Sequence, residues 1–308
     1  MGLLTGQSNK SGTPVTDVMP SIAAGGPDIS SLAAQFARDG YVVDRGVVAG
    51  AELEALRAEA SALIERFVEG GDPYVVVTDG RPWKLNFVTD PARRQLNESV
   101  GLLAAHPRII AMVQAIIGPR LALVMQSMTF KHRAGGAAVP RHRDTFVNVL
   151  ERPQAHVVLN ADIYLDDATL ATGCLRVAPG SHLQKDVRDL VEVPLDHWDD
   201  LVPVEVRAGD VAYHNDLTVH GSPATPPHDG SGVRRLVLNV YVDPEMLATE
   251  GFVPGMVPIE SVVQNHVAAL RYWVERRRAA YGDVDYTLAP WDRDHGGDPI
   301  LDPAGLGY

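Results

Sequence analysis

A chain of 308 residues with 45% apolar side chains suits one large domain or two small ones around a substantial buried core. Its formal charge of −12, with no run of Lys or Arg, argues against a phosphate-backbone partner. A single cysteine, Cys174, excludes an intrachain disulfide and any cysteine-based zinc site.

Residues 1–28 are rich in Gly, Ser, Thr and Pro and lack the basic and apolar stretches of a signal peptide, so they read as a flexible N-terminal arm. No apolar run reaches the roughly 18–20 residues needed to span a bilayer. The expectation is a cytoplasmic protein, monomer or homodimer, without membrane or nucleic-acid partners. The stretch "DISSLAAQFARDG" (28–40) predicts a short helix capped by Asp28 and stopped at Gly40, and "YVVDRGVV" (41–48) a strand. Leu53, Leu56, Ala60, Leu63, Ile64 and Phe67 then recur at helical spacing, which marks a core stripe. Two short strands around "TDGRP" are expected within 73–89, and a helix over 107–117 between Pro107 and Gly118.

From residue 120 the pattern changes to short β-rich runs, "RLALVMQSMTF", "AHVVLNADIYL", "GCLRVAP", "VPVEV", "GDVAYH" and "RRLVLNVYV", punctuated by Gly, Pro and Asp. Such spacing suggests a sandwich or barrel. Helical periodicity returns at 259–281, where "VERRR" reads as a solvated basic face, and an acidic Gly/Pro/Asp tail follows over 284–308. The whole is read as a single domain over 29–283, with its β-core at about 120–243 and helices on its flanks.

Within "VPRHRDTFVN" (139–148), His142 and Asp144 are two residues apart, so an extended backbone would point both the same way, with Arg141 and Arg143 facing away. Taken alone the pair reads as a structural turn or ion pair ahead of a metal site, and His214-Asn215-Asp216 repeats the pattern. A third ligand for the first pair exists in His220 of "DLTVHGSPA", 78 residues on and just after a strand; the second pair has no such partner. Two histidines and one carboxylate on one face of an ion is the arrangement of mononuclear non-haem iron.

The segments "FARDGYVVDRGVV", "RHRD", "YLDDATLATGCLRVAPGSH", "AGDVAYHNDLTVHGSP" and "VRRLVLNVYV" run in order from about 36 to 243. Together they resemble the phytanoyl-CoA dioxygenase (PhyH) family of Fe(II)/2-oxoglutarate-dependent oxygenases. The resemblance implies a mainly β fold, a cupin-like double-stranded β-helix or jelly roll with flanking α-helices. It also implies Fe(II), 2-oxoglutarate and O2 as cofactor and cosubstrates, with succinate and CO2 released. His142, Asp144 and His220 match the family's iron ligands. Arg234 matches the arginine for the far carboxylate of 2-oxoglutarate, which a planar guanidinium grips through two parallel hydrogen bonds; alternation lets only one of Arg234 and Arg235 point inward. Gln126, Thr145 and Ser222 fall where the family places polar contacts to 2-oxoglutarate.

Lys84, Asn86, Tyr74, Trp83 and Phe146 are candidates for a substrate pocket. An aspartate at position 144 favours hydroxylation over halogenation, since related halogenases carry a small residue there. The implied substrate is a small molecule, read as a bacterial natural-product intermediate, with discrimination assigned to 72–90, 145–158 and the tail. A metal-free jelly-roll binding protein and a cupin-like non-oxidative metalloenzyme are the competing classes. His182 is read as structural, Cys174 as a small buried hydrophobe, His214 as a strand or turn residue and His132, His156 and His228 as solvent-facing.

Overall fold

The helix expected at 28–40 forms as α1 (Ile29–Asp39). Its end is set by Gly40, which adopts the left-handed conformation at φ 77° and returns its N–H to Phe36 O. A side chain at Gly40 would also strike Nδ1 of His182 and Oγ1 of Thr218, so the helix stop doubles as a packing contact with the later "PGSH" loop. The computed structural model describes residues 28–71, 75–78, 80–86, 98–132, 136–144, 157–184, 194, 196–225, 232–250 and 260–291.

Strand β1 (Tyr41–Asp44) follows, then α2 (Gly50–Glu69), whose predicted stripe faces inward with Leu56 and Ala60 fully buried. Burial of each such aliphatic side chain stabilises the fold by about 1.5–3 kcal/mol. The hairpin around "TDGRP" appears as β2 (Val75–Thr78) and β3 (Arg81–Leu85). Helices α3 (Glu98–Leu102) and α4 (Pro107–Ile117) are joined by a 3-10 turn, Leu103–Ala105.

The β-rich half supplies β4 (Ala122–His132), β5 (Val139–His142), β6 (Leu159–Tyr164), β7 (Leu175–Val177), β8 (Val202–Val204), β9 (Val211–Asn215), β10 (His220–Ser222) and β11 (Val233–Val242). Helices α5 (Pro244–Glu250) and α6 (Glu260–Tyr281) close the described chain. Every pairing is antiparallel, in a seven-stranded sheet of order β1-β9-β6-β11-β4-β3-β2 and a four-stranded sheet of order β5-β10-β7-β8. These two sheets form the expected jelly roll. The large sheet reaches beyond 120–243, because β1, β2 and β3 from the N-terminal part extend both of its edges.

The main apolar core lies between the helices and the outer face of the large sheet, where Phe36, Leu56, Ile109, Phe130, Val237 and Trp273 are buried together. This leaves the inner face of that sheet free to carry polar groups. Two expectations for the C-terminal part need correction. Arg277 of α6 is buried, not solvated, and binds Glu52 at 2.9 Å and Asp283 at 2.7 Å, because α6 packs on the body of the protein and its charge needs partners there. The start of the proposed tail is also built in: Tyr286 donates to Ala105 O at 2.7 Å, Ala289 N to Pro119 O at 2.9 Å, and Trp291 is buried. The N-terminal arm and residues 292–308 lie outside the described residues. No single described helix is long and apolar enough to cross a membrane.

Candidate metal centre

Antiparallel pairing of β10 with β5 sets His220 directly opposite His142, and Asp144 follows two residues after His142. The three side chains converge: His142 Nε2 lies 3.3 Å from Asp144 Oδ1, and His220 Nε2 lies 3.5 Å from Asp144 Oδ2. Their potential donor atoms all fall within 4.8 Å of one another. Each imidazole turns its other nitrogen to a backbone acceptor, His142 Nδ1 to Pro140 O at 2.7 Å and His220 Nδ1 to Thr218 O at 2.9 Å. A carbonyl can only accept, so both Nδ1 atoms carry a proton and both Nε2 atoms face the gap.

Asp144 is fixed twice more, by Asn160 Nδ2 at 3.1 Å from its Oδ2 and by its own N–H donating to Asp216 O at 2.8 Å. The repeated His-Asn-Asp segment therefore supports the first pair through its backbone. Electrostatics agree with a cation site. Burial works against the Asp144 charge, yet His220, His142 and His214 hold its carboxyl well below the usual range. Burial, aided by His142 and His214, outweighs the Asp144 charge at His220 and pushes it down to about 3, so its imidazole is neutral and free to ligate.

The trio opens on a cavity of about 140 Å3 between the sheets. At about 10–15 Å3 of such space per water, that is room for a small organic ligand beside an ion. Arg234 of β11 lines it, with Nε and Nη1 buried and, among the described residues, without a hydrogen-bond partner. Arg235 points the other way, to Asp166 at 2.8 Å and Ser61 Oγ at 2.6 Å, so of the two arginines it is Arg234 that faces the cavity. Two histidines and a carboxylate with open positions fit a divalent iron-type ion, and the orphaned guanidinium fits a carboxylate at the far end of an ion-bound acid.

Ser222 lines the cavity, but its hydroxyl donates to Gly173 O at 2.8 Å and accepts from Lys131 at 2.7 Å. Trp83 and Lys84 also line it, and burial lowers the Lys84 ammonium against the pull of Asp144 and Asp162. Asn86 is half-buried and is not part of the lining. Gln126 is placed elsewhere. Its amide donates to Val100 O at 3.0 Å and Asn239 Oδ1 at 2.6 Å, on the helix side of the sheet, because its strand parity is opposite to that of Thr129 and Lys131. Thr145, Phe146 and Tyr74, proposed from sequence, lie outside the described residues, as do His156 and His228.

His132 is half-buried rather than solvent-facing, lines the cavity and bonds Pro82 O at 3.0 Å. His214 is a β9 residue and also a cavity residue, its ring 4.5 Å from that of His220 and its Nε2 3.6 Å from Asp162 Oδ2. His182 bonds Ala37 O at 3.2 Å and Cys174 is buried, both as expected. Arg141 and Arg143 turn from the metal side, the first to Asp200 at 2.9 Å and the second to Gln184 O at 3.1 Å. Lys131, Tyr164, Asp162 and Thr129 are cavity residues that sequence reasoning did not single out; strand alternation from Arg234 through the pairing partners of β11 identifies them.

Comparison with known proteins agrees with this geometry. The family model for phytanoyl-CoA dioxygenase (PhyH) matches residues 36–227. The phytanoyl-CoA dioxygenase domain-containing protein 1 of Rattus norvegicus is 30% identical over 164 residues, covering 45% of this chain and 55% of the rat protein. Among the curated plant relatives the matched share falls to 38–40%, so the chain spans about half the length or less of these proteins. AviO1 from Streptomyces viridochromogenes superposes with a TM-score of 0.54 at 30% identity, covering 70% of this chain and 96% of that one. SnoN, an epimerase solved with Fe3+, alpha ketoglutarate and nogalamycin RO, gives a TM-score of 0.56 at 26% identity over 74% of this chain and 87% of its own. The chain belongs to the phytanoyl-CoA dioxygenase (PhyH) family.

Proposed function

We propose that this chain is an Fe(II)- and 2-oxoglutarate-dependent oxygenase that hydroxylates an unactivated C–H bond of a small molecule. The observation that carries this reading is one cavity lined both by a two-histidine, one-carboxylate trio and by a buried guanidinium whose Nε and Nη1 have no hydrogen-bond partner among the described residues. His142, Asp144 and His220 would hold the iron, and Arg234 the far carboxylate of 2-oxoglutarate. Bound there, iron with 2-oxoglutarate and O2 supplies the oxidation: one oxygen atom enters the substrate as hydroxyl, the other enters succinate, and CO2 is released.

The chain's own part is geometric. Pro140 O and Thr218 O hold the two rings in the ligating tautomer, and Asn160 keeps Asp144 turned toward them. Leu175, Leu236 and Leu238 give the cavity apolar walls that limit water around the reacting centre. Asp144 occupies the position that a halide would need, which supports hydroxylation. Substrate choice falls to the Trp83–Lys84 wall and to 72–90 and 145–158, largely beyond the described residues. SnoN comes from nogalamycin biosynthesis, which supports a natural-product intermediate as substrate.

Purified protein incubated with Fe(II), O2 and 2-oxoglutarate should form succinate, and His142→Ala and Asp144→Ala should abolish it. Full activity in either variant, or iron-independent succinate formation, would contradict the reading.

A further inference from the structure

The cavity end opposite the metal trio holds a second cation. Lys131 of β4 pairs directly across the ladder with Arg234 of β11, so both side chains rise on the same face. Both are buried, at 6% exposure each. Lys131 Nζ donates to Ser222 Oγ at 2.7 Å and to Pro223 O, and a longer contact reaches Ser222 O at 3.4 Å. Gly173 completes the enclosure. Its φ of +64° suits glycine, and a Cβ there would sit 2.7 Å from Pro223 O and 3.2 Å from Lys131 Nζ.

Like charges opposed on a ladder destabilise a sheet, and buried charge is tolerated only with a counter-charge. The partners of Lys131 are a hydroxyl and carbonyls, while Nε and Nη1 of Arg234 have no hydrogen-bond partner among the described residues. Ser222 has already given its proton to Gly173 O, so it cannot donate to an incoming acid while that bond stands. Beside that hydroxyl, Lys131 and Arg234 supply positive charge from one face of the ladder.

We infer that Lys131 is a specificity-determining residue for the cosubstrate: with Arg234 it forms a two-cation socket that selects a 2-oxo diacid over a 2-oxo monoacid of the same length. Lys131 holds the Ser222–Pro223 turn in place and adds a second positive charge beside the guanidinium, so a distal carboxylate neutralises both. This inference rests on the oxygenase reading and extends it to a residue outside the metal trio and its arginine. Burial, and after it the Arg234 charge, push Lys131 down to about 7, a strain that an incoming carboxylate relieves.

Calorimetric titration of the anaerobic Fe(II)-loaded protein with 2-oxoglutarate and with 2-oxopentanoate, which ends in a methyl group, tests this. Wild type should bind the diacid far more tightly. Lys131→Met should weaken 2-oxoglutarate by about tenfold to a hundredfold, the range for a hydrogen bond to a charged group, and leave 2-oxopentanoate within about twofold. Lys131→Gln keeps donors for Ser222 and Pro223 without the charge and should show the same selective loss, which covers a failure of the Met variant to fold. Unchanged 2-oxoglutarate affinity, or equal loss of both acids in the Gln variant, would overturn the inference. Wild-type protein that binds neither acid would instead overturn the oxygenase reading itself.

Discussion

At the metal end of the cavity, the candidate ligands His142 and His220 stand on strands of four and three residues, β5 and β10, and Asp144 lies just beyond β5. At the other end, Arg234 and Lys131 stand on strands of ten and eleven residues, β11 and β4, paired along a nearly continuous ladder. Short strands cannot fix a ring orientation by themselves, so the metal end relies on Pro140 O, Thr218 O, Asn160 and Asp216 O. Long strands fix where the cations sit, and there the charges themselves remain the sensitive variable. The metal end should therefore respond to changes in supporting contacts, and the anion end to changes in charge.

The largest effect belongs to the ligands: Asp144→Ala should cut metal affinity by more than about a hundredfold, beyond the 10–100-fold typical of supporting groups, as read by metal stoichiometry. Next comes Arg234→Met, which removes two charge-assisted hydrogen bonds at about 1.5–3 kcal/mol each and should weaken 2-oxoglutarate more than a hundredfold by calorimetry. Arg235→Met sharpens the contrast. It should leave 2-oxoglutarate affinity unchanged and lower unfolding free energy by about 1–3 kcal/mol in a denaturant titration, since Asp166 loses its two guanidinium hydrogen bonds. Asn160→Ala should lower metal affinity about tenfold while its effect on 2-oxoglutarate stays small, because its amide donates to Asp144.

A further effect is one of pH on the ligand-free protein. Lys131 is pushed from 10.5 to about 7 in the fold, so between those values the unfolded chain binds a proton that the folded one does not. Stability from this group should rise as pH climbs from about 7 toward 10.5 and be flat below, and Lys131→Met should remove that slope in thermal melts across the window.

The jelly roll was legible because short alternating strands and turn residues recur through 120–243, and the ligand trio because the two-residue spacing of His142 and Asp144 survives in any extended backbone. Gln126 was misplaced for a specific reason. Which face of β4 meets the cavity depends on its register with β11, and that pairing sets Gln126 opposite Asn239 on the helix side. Lys131 escaped notice because lysines are rarely buried, and only the Arg234 partnership reveals its place. The neighbourhood of His214 and Asp162 depends on β9 lying next to β6, a sheet order that no local pattern encodes. Arg277 read as solvated because its partner Glu52 is 225 residues away.

One measurement reaches the centre of this picture. Anaerobic protein loaded with Fe(II) and then with 2-oxoglutarate should develop the visible charge-transfer absorption of a 2-oxo acid chelated to iron. The band should saturate at one equivalent of each and be lost in Asp144→Ala. Its absence from the loaded wild type, or its persistence in that variant, would contradict the assignment of His142, Asp144 and His220 as the iron site.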